Sequence, residues 1–148
     1  MQSLIENKRI HLDYEILEKF DAGIELFGFE VKSLKNRLGS LLGAHVTIRG
    51  GEAYVINSFI PAYQEKNAPK EYDPRRNRRL LLTRNEIERL AEIEGKKGLT
   101  IVPVSVYNKE RKIKVSIAVV RGKKKYDKRE DLKKKQSERD IRREHKER

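Results

Sequence analysis

Apolar and polar residues alternate through much of residues 44 to 120, and a period of two predicts β-strands. In "AHVTIRGGEAYVINSFI", Val46 and Ile48 alternate with Thr47 and Arg49, and "EAYVI" resumes the β-rich pattern after Gly50-Gly51. Two glycines supply the positive φ that a tight hairpin turn demands, so this stretch predicts a β-hairpin. A longer one is predicted by "LTIVPVSVYNKERKIKVSIAVV". Val102, Val104 and Val106 are expected on one face, with a turn over Asn108 to Arg111. On the return strand Ile113, Val115, Ile117 and Val119 should share a face, with Lys112, Lys114 and Ser116 opposite. Pro103 cannot donate to a ladder, which places its strand at an edge or bulges it there. "GIELFGFEVKSL" reads as a further strand with a bend at Gly28.

The period changes at Thr83. With Glu86 three residues on, "TRNE" forms a capping box ahead of Ile87, Leu90, Ala91 and Glu94 at helical spacing, closed by Gly95 or Gly98. A shorter helix is expected over 33–42, with Leu34, Leu38 and Leu41 on one side. Residues 62–79 read as a polar loop broken by Pro69 and Pro74. Short strands, hairpins and one or two helices in residues 1–121 predict a mainly β fold, an OB-like antiparallel barrel with flanking helices. Residues 122–148 offer Tyr126, Leu132 and Ile141 as their sizeable apolar groups, too few to offset the entropy of ordering. They are expected to form a basic tail, disordered when free and able to turn helical on a charged surface.

Charge sharpens this division. The 148 residues carry a net +12, and residues 121 to 148 hold 14 Lys/Arg against 7 Asp/Glu. Such an excess favours a polyanionic partner. The absence of cysteine excludes disulfides, thiolate metal sites and cysteine nucleophiles. No apolar run approaches the roughly 20 residues of a membrane span, and no signal peptide is evident, so a soluble, cytoplasmic protein without membrane partners is expected. His11, His45 and His145 lie far apart without ligand spacing, and Asp21 and Glu30 lack a partnering motif. Neither a catalytic site nor a metal or cofactor site is therefore expected.

Binding has better support. Arg75, Arg76, Arg78 and Arg79 fall within five positions, and guanidinium forks suit phosphate oxygens; the alternative is a solvated loop. Lys112 and Lys114 on an exposed strand face and the tail add two more basic regions. Neither a helix-turn-helix nor a zinc-finger pattern is present, and the tail lacks a large apolar face, so structured or single-stranded RNA is favoured over duplex DNA or membrane.

Five segments in order, "NKRIHLDYEILEKFDAGIEL", "GFEVKSLK", "GEAYVIN", "YDPRRNRRLLLTRNEI" and "RGKKKYDKRED", together resemble the small protein B family, the SsrA-binding proteins of bacterial trans-translation. The resemblance runs from about Asn7 to Asp131. It implies an OB-like barrel that binds the tRNA-like domain of transfer-messenger RNA. With elongation factor Tu, reached through the RNA complex, such a protein carries that RNA to the A site of a stalled 70S ribosome. It implies an adaptor and not an enzyme, monomeric and without cofactor. The tail would occupy the empty mRNA channel near the decoding centre, against ribosomal RNA. The alternative is a basic ribosomal-RNA-binding structural or assembly protein.

Carried over by motif, the RNA-facing residues are Asn7, Lys8, Arg9, Asp21, Glu30, Lys32, Leu81 and Lys114. Arg75, Arg76 and Arg121 are added from the basic runs, and Gly122, Lys123, Lys124, Asp127, Lys128 and Arg129 are the ribosome-contacting positions of the tail. For Glu30, an RNA contact and an ion pair with a nearby lysine stay open as alternatives. The chain departs from the family pattern at Leu12, where His11 stands one position early, and at Phe29. It departs again at Thr83, where many members have His or Asn, and at Asp21, where Glu is usual.

Overall fold

A computed structural model describes residues 2–64, 66 and 68–122. Its elements are β1 (Gln2–Glu6), α1 (Ile10–Asp13), β2 (Tyr14–Ile24), α2 (Gly28–Lys35), β3 (His45–Arg49), β4 (Glu52–Ile56), β5 (Arg78–Leu81), α3 (Arg84–Glu94), β6 (Leu99–Lys109) and β7 (Lys112–Gly122). The strands form one antiparallel seven-stranded sheet in the order β1-β6-β7-β2-β5-β4-β3. The expected mainly β, OB-like fold is present, but the sheet is not closed by hydrogen bonds. β3 comes round to face β6 across a seam, and α3 packs on both strands there. Of the tail expected over 122–148, Gly122 is instead the last residue of β7, paired with Tyr14, and residues 123–148 lie outside the described residues.

Local chemistry explains each element. Gly50 and Gly51 take φ of 58° and 76°, the left-handed pair that joins β3 to β4 as the dipeptide predicts. The Thr83–Glu86 capping box forms in both directions: Thr83 N donates to Glu86 Oε1 at 2.9 Å, and Glu86 N donates to Thr83 Oγ1 at 3.2 Å. Leu90 and Ile93 bury the core face of α3, while Ala91 is exposed. At the end of α3, Glu94 accepts from Thr47 Oγ1 at 2.6 Å and from Ile48 N at 2.8 Å. The helix thereby satisfies a backbone donor on edge strand β3 and pins the seam.

Three expectations need correction. "FEVKSL" is helical, not extended: Glu30 accepts from Phe27 N at 2.7 Å, capping the first turn of α2 from inside, and Gly28 opens the helix instead of bending a strand. The helix expected over 33–42 stops at Lys35. The chain turns through a left-handed Arg37 (φ 60°), leaving Leu38 exposed while Leu34 and Leu41 remain in the core. Val102, Val104 and Val106 do not share one face: Pro103 lies in an interior strand and bulges it, the second of its two expected outcomes, with the register of β6 against β7 shifting between Pro103 and Ser105. That bulge reverses the faces. Val106 joins the main core, whereas Val102 and Val104 pack with Ile10, Ala118 and Val120 beneath α1. The Ile113, Val115, Ile117, Val119 face holds as predicted and packs in or against the main core. No pattern in the sequence marks β1 or the first half of β2.

A buried charged cluster ties α2 to the loop before β5. Glu30 and Arg78 are both 0% exposed. Glu30 Oε2 accepts from Arg78 Nε at 2.9 Å and Arg76 Nε at 3.0 Å, and Oε1 accepts from Arg76 Nη2. Arg78 also donates to Ser58 O at 2.9 Å, Ser58 Oγ at 3.0 Å and Pro74 O at 2.8 Å. The Tyr72 hydroxyl accepts from Arg78 Nη2 at 3.0 Å and stands 2.7 Å from both Glu30 Oε2 and Ile60 O, with one proton for the two. Burial alone would raise the Glu30 carboxyl. Hydrogen bonds from Arg76, Phe27 N–H and Tyr72, with the Arg78 charge, outweigh it and hold Glu30 below the usual carboxylate range.

Removing one member of such a cluster strands the others in a dry site. Arg78→Met should destabilise the fold by about 3–5 kcal/mol, read as a lower urea midpoint at unchanged m; a loss under about 1 kcal/mol would contradict the assignment. The pH dependence has a definite sign. A depressed folded pKa adds stability above the unfolded glutamate value, and that stability is lost as pH falls through the folded value. Glu30→Gln should lower stability at neutral pH and flatten the acid limb, and an acid limb identical to that of the unsubstituted chain would exclude this role.

Candidate nucleic-acid interface

β7 organises the exposed basic surface. At its start, Lys114 stands opposite Tyr107 on β6 and Gly23 on β2, and the next outward pair along is Ser116 with Asp21. Asp21 is exposed, and its Oδ1 accepts from the Tyr107 hydroxyl at 2.8 Å. Tyr107 itself is 6% exposed. Burial first, and the Asp21 carboxylate second, push the Tyr107 phenol up to about 12, so the hydroxyl remains a donor at any physiological pH. The result is a carboxylate held in place on a sheet face, able to accept from a base amino group or a 2′-hydroxyl.

Leu81, at the end of β5, is 48% exposed although it lies in a strand. It pairs with Gly23, and a Cβ at Gly23 would stand 3.1 Å from the Leu81 Cβ. Glycine at 23 therefore allows the leucine to sit flat on the sheet. Leu81, Lys114 and Gly23 line one cleft together with Val31 and Lys35 of α2, and Asp21 lies two residues along β2 from Gly23. Lys32 is exposed on the same helix.

A second group gathers at the opposite end of β7. Asn7 is half-buried: its Nδ2 donates to Leu41 O at 3.4 Å and its Oδ1 accepts from Arg9 N at 3.2 Å. Lys8 and Arg9 are exposed. Asn7 and Arg9 line a cleft with Tyr14, which pairs with Gly122. Arg121 is exposed and pairs with Glu15 at 2.7 Å. The eight steps from Lys114 to Gly122 span roughly 26 Å at strand rise, so two basic ends face separate regions. Lys123, Lys124, Asp127, Lys128 and Arg129 lie outside the described residues.

The arginine run does not act as one phosphate patch. Arg78 is buried and Arg76 half-buried, both on Glu30; Arg76 also stacks its guanidinium 4.2 Å from the Phe27 ring centroid. Arg79 pairs with Glu52 at 2.7 Å and Glu25 at 3.0 Å. Arg75 alone of the four is largely exposed, over the Phe59 ring at 5.2 Å and bonded to Asn57 Oδ1 at 3.1 Å. Glu30 likewise is corrected: a fully buried carboxylate bonded through both oxygens cannot face RNA, and its partners are arginines and not a lysine. Sequence reasoning missed Tyr107, because the Asp21 contact spans 86 positions, and missed Lys35 and Arg111, which no motif marks.

Among the described residues there is no group of histidine and carboxylate side chains able to hold a metal. No helix among them is long and apolar enough to cross a membrane. An OB-like sheet with exposed cations near both ends of β7, Arg9 and Arg121 paired with Asp13 and Glu15 at one end and a fixed acceptor beside the other, suits a nucleic-acid-binding protein of the RNA type. The family described as SmpB protein matches residues 4–147, and this chain belongs to it. The chain is 46% identical over 140 residues to the SsrA-binding protein of Gloeothece citriformis, covering 95% of this chain and 90% of that protein. Against the SsrA-binding protein of Thermosipho africanus it is 45% identical, covering 95% of each. A solved chain described as "tmRNA-SmpB: a journey to the center of the bacterial ribosome" is 43% identical, with a TM-score of 0.69 over 82% of this chain and 85% of that one.

The Tyr107–Asp21 contact can be checked without RNA. Asp21→Asn should move the phenolate titration of Tyr107 from about 12 towards the ordinary tyrosine value, followed by ultraviolet difference absorbance. An unshifted titration would mean that burial alone raises it.

Proposed function

We propose that this chain is the RNA-binding adaptor of trans-translation: it binds transfer-messenger RNA and brings it to the A site of stalled ribosomes, so that incomplete proteins are tagged and the ribosome is released. The observation that carries this is the family match from residue 4 to 147, which includes the basic tail as well as the sheet. Relatives of nearly the same length are SsrA-binding proteins, and the similar solved chain is tmRNA-SmpB in the bacterial ribosome. The reading is of an adaptor and not an enzyme, acting where ribosomes are, in the cytoplasm.

The geometry supports a division of labour. Asp21, Leu81, Lys114 and Lys32 are assigned to the tRNA-like domain of the RNA. Asn7, Lys8, Arg9 and Arg121, at the end of β7 where the tail begins, are assigned to the ribosomal side. Beyond Gly122, the last residue of β7, Lys123, Lys124, Asp127, Lys128 and Arg129 then enter the empty mRNA channel towards the decoding centre and ribosomal RNA. Elongation factor Tu joins through the RNA complex. Because the two basic ends lie at opposite ends of β7, one copy can hold both partners at once.

Competition at near-physiological salt tests the reading against a general ribosomal-RNA binder. The tRNA-like fragment should win over an equal length of ribosomal RNA helix, and no preference would sink the adaptor role. Lys114→Ala should weaken binding to that fragment and lower the slope of log K against log salt by about 1. Truncation after Gly122 should leave fragment binding within about twofold while abolishing tagging on stalled ribosomes; equal loss of both would overturn the division.

A further inference from the structure

We propose that the cleft between α2 and the β6–β7 turn takes one unstacked nucleobase of the bound RNA, with Lys35 and Arg111 on the phosphates either side of it. The inference rests on the RNA-binding reading above and adds the form of the ligand and the residues that hold it.

The cleft has a volume of about 420 Å³, within the range of sites that accept small planar ligands. Gly23 forms its floor, and Leu81, Val31 and Ile113 form apolar walls from three different elements. Lys35, Arg111, Lys112 and Lys114 surround these walls, and no carboxylate is among the described residues that line it. Other clefts on the described residues differ. One includes Asp13 and another Glu6, and two more carry a single cation each, Lys70 or Arg49. Four cations without an opposing charge match a polyanion, whereas an apolar floor does not suit a phosphate. A nucleotide satisfies both at once, base in and phosphates at the rim.

Two local features are hard to explain by folding alone. Leu81 keeps nearly half its surface in water, laid flat by the missing Cβ at Gly23. The β6–β7 turn places Glu110 (φ 49°) and Arg111 (φ 70°) in the left-handed region without a glycine, while the β3–β4 turn meets the same demand with Gly50 and Gly51. Glycine at 111 would relieve the backbone but remove a cation from the rim.

The test uses the full chain and the tRNA-like RNA fragment, with 2-aminopurine replacing its unpaired bases one position at a time. Because no aromatic residue is among those described in the lining, the probe leaves its stacked neighbours without meeting a new quencher. Emission at one position should rise severalfold on binding. Val31→Trp, which fills the cleft, should abolish that rise and weaken binding about tenfold while leaving the salt slope unchanged, since no phosphate contact is lost. Lys35→Ala is the check if the tryptophan variant does not fold. It should retain the rise and lower the slope by about 1. A Val31→Trp chain that folds, binds normally and retains the rise overturns the proposal, as does an unchanged slope for Lys35→Ala. Salt-sensitive, preferential binding by the unsubstituted chain with no rise at any position overturns the cleft alone. Absence of that preference overturns the RNA reading itself.

Discussion

The buried contact of Glu30 with Arg76 and Arg78 is the constraint on which the rest of the structure depends. A carboxylate with no exposed surface persists only because four N–H donors and the Tyr72 hydroxyl meet it inside the fold. Those donors come from the start of α2, the loop before β5 and β5 itself. The cluster therefore fixes how α2 lies against the sheet. Such clusters are weak contributors to net stability but strict about geometry, since any displacement leaves a charge unpaired in a dry site. Here that strictness positions Val31 and Lys35, one wall of the cleft whose opposite side carries Leu81 and Lys114.

A second constraint closes the other side of the molecule. The sheet ends in β1 and β3, and β3 lies across an unpaired seam from β6. α3 covers the seam with Leu90 and Ile93, and Glu94 bonds the Thr47 hydroxyl and the Ile48 N–H. A helix thus does what a closing ladder would do in a full barrel, and the outer face of β2 and β7, covered by α1 over Ala118 and Val120, is left open around Lys114, Ser116 and Asp21. The open face carries Asp21, held by Tyr107, and Lys114, with the tail beginning at the far end of the same strand. Placement of both ends on one strand makes the separation between them a property of the sheet and not of a loop.

Much is legible in the chain because it depends on neighbours in sequence. The Gly50-Gly51 hairpin, the Thr83–Glu86 capping box, the inward face from Ile113 to Val119 and the basic excess after Arg121 follow from local periodicity, turn chemistry and charge. So does the OB-like class, since short strands with few helices leave few ways to bury one apolar face each. The family segments add the RNA partner.

Local pattern misleads where the deciding contact is distant. "FEVKSL" has a strand-like composition, but Glu30 becomes a helix cap and an ion-pair acceptor for arginines 46 and 48 positions away. The four arginines look alike as a run, yet alternation about β5 and the depth of the loop bury Arg78, half-bury Arg76 and leave Arg75 available. A single bulge after Pro103 sends Val102 and Val104 to a different face from Val106. The sequence by itself determined which segments are regular, that they form one small β-rich body, and that its partner is a polyanion. Only the tertiary structure decided which charges are inside and which outside. Burial and pairing depend on what other strands bring within about 3 Å, and no pattern along the chain contains that distance.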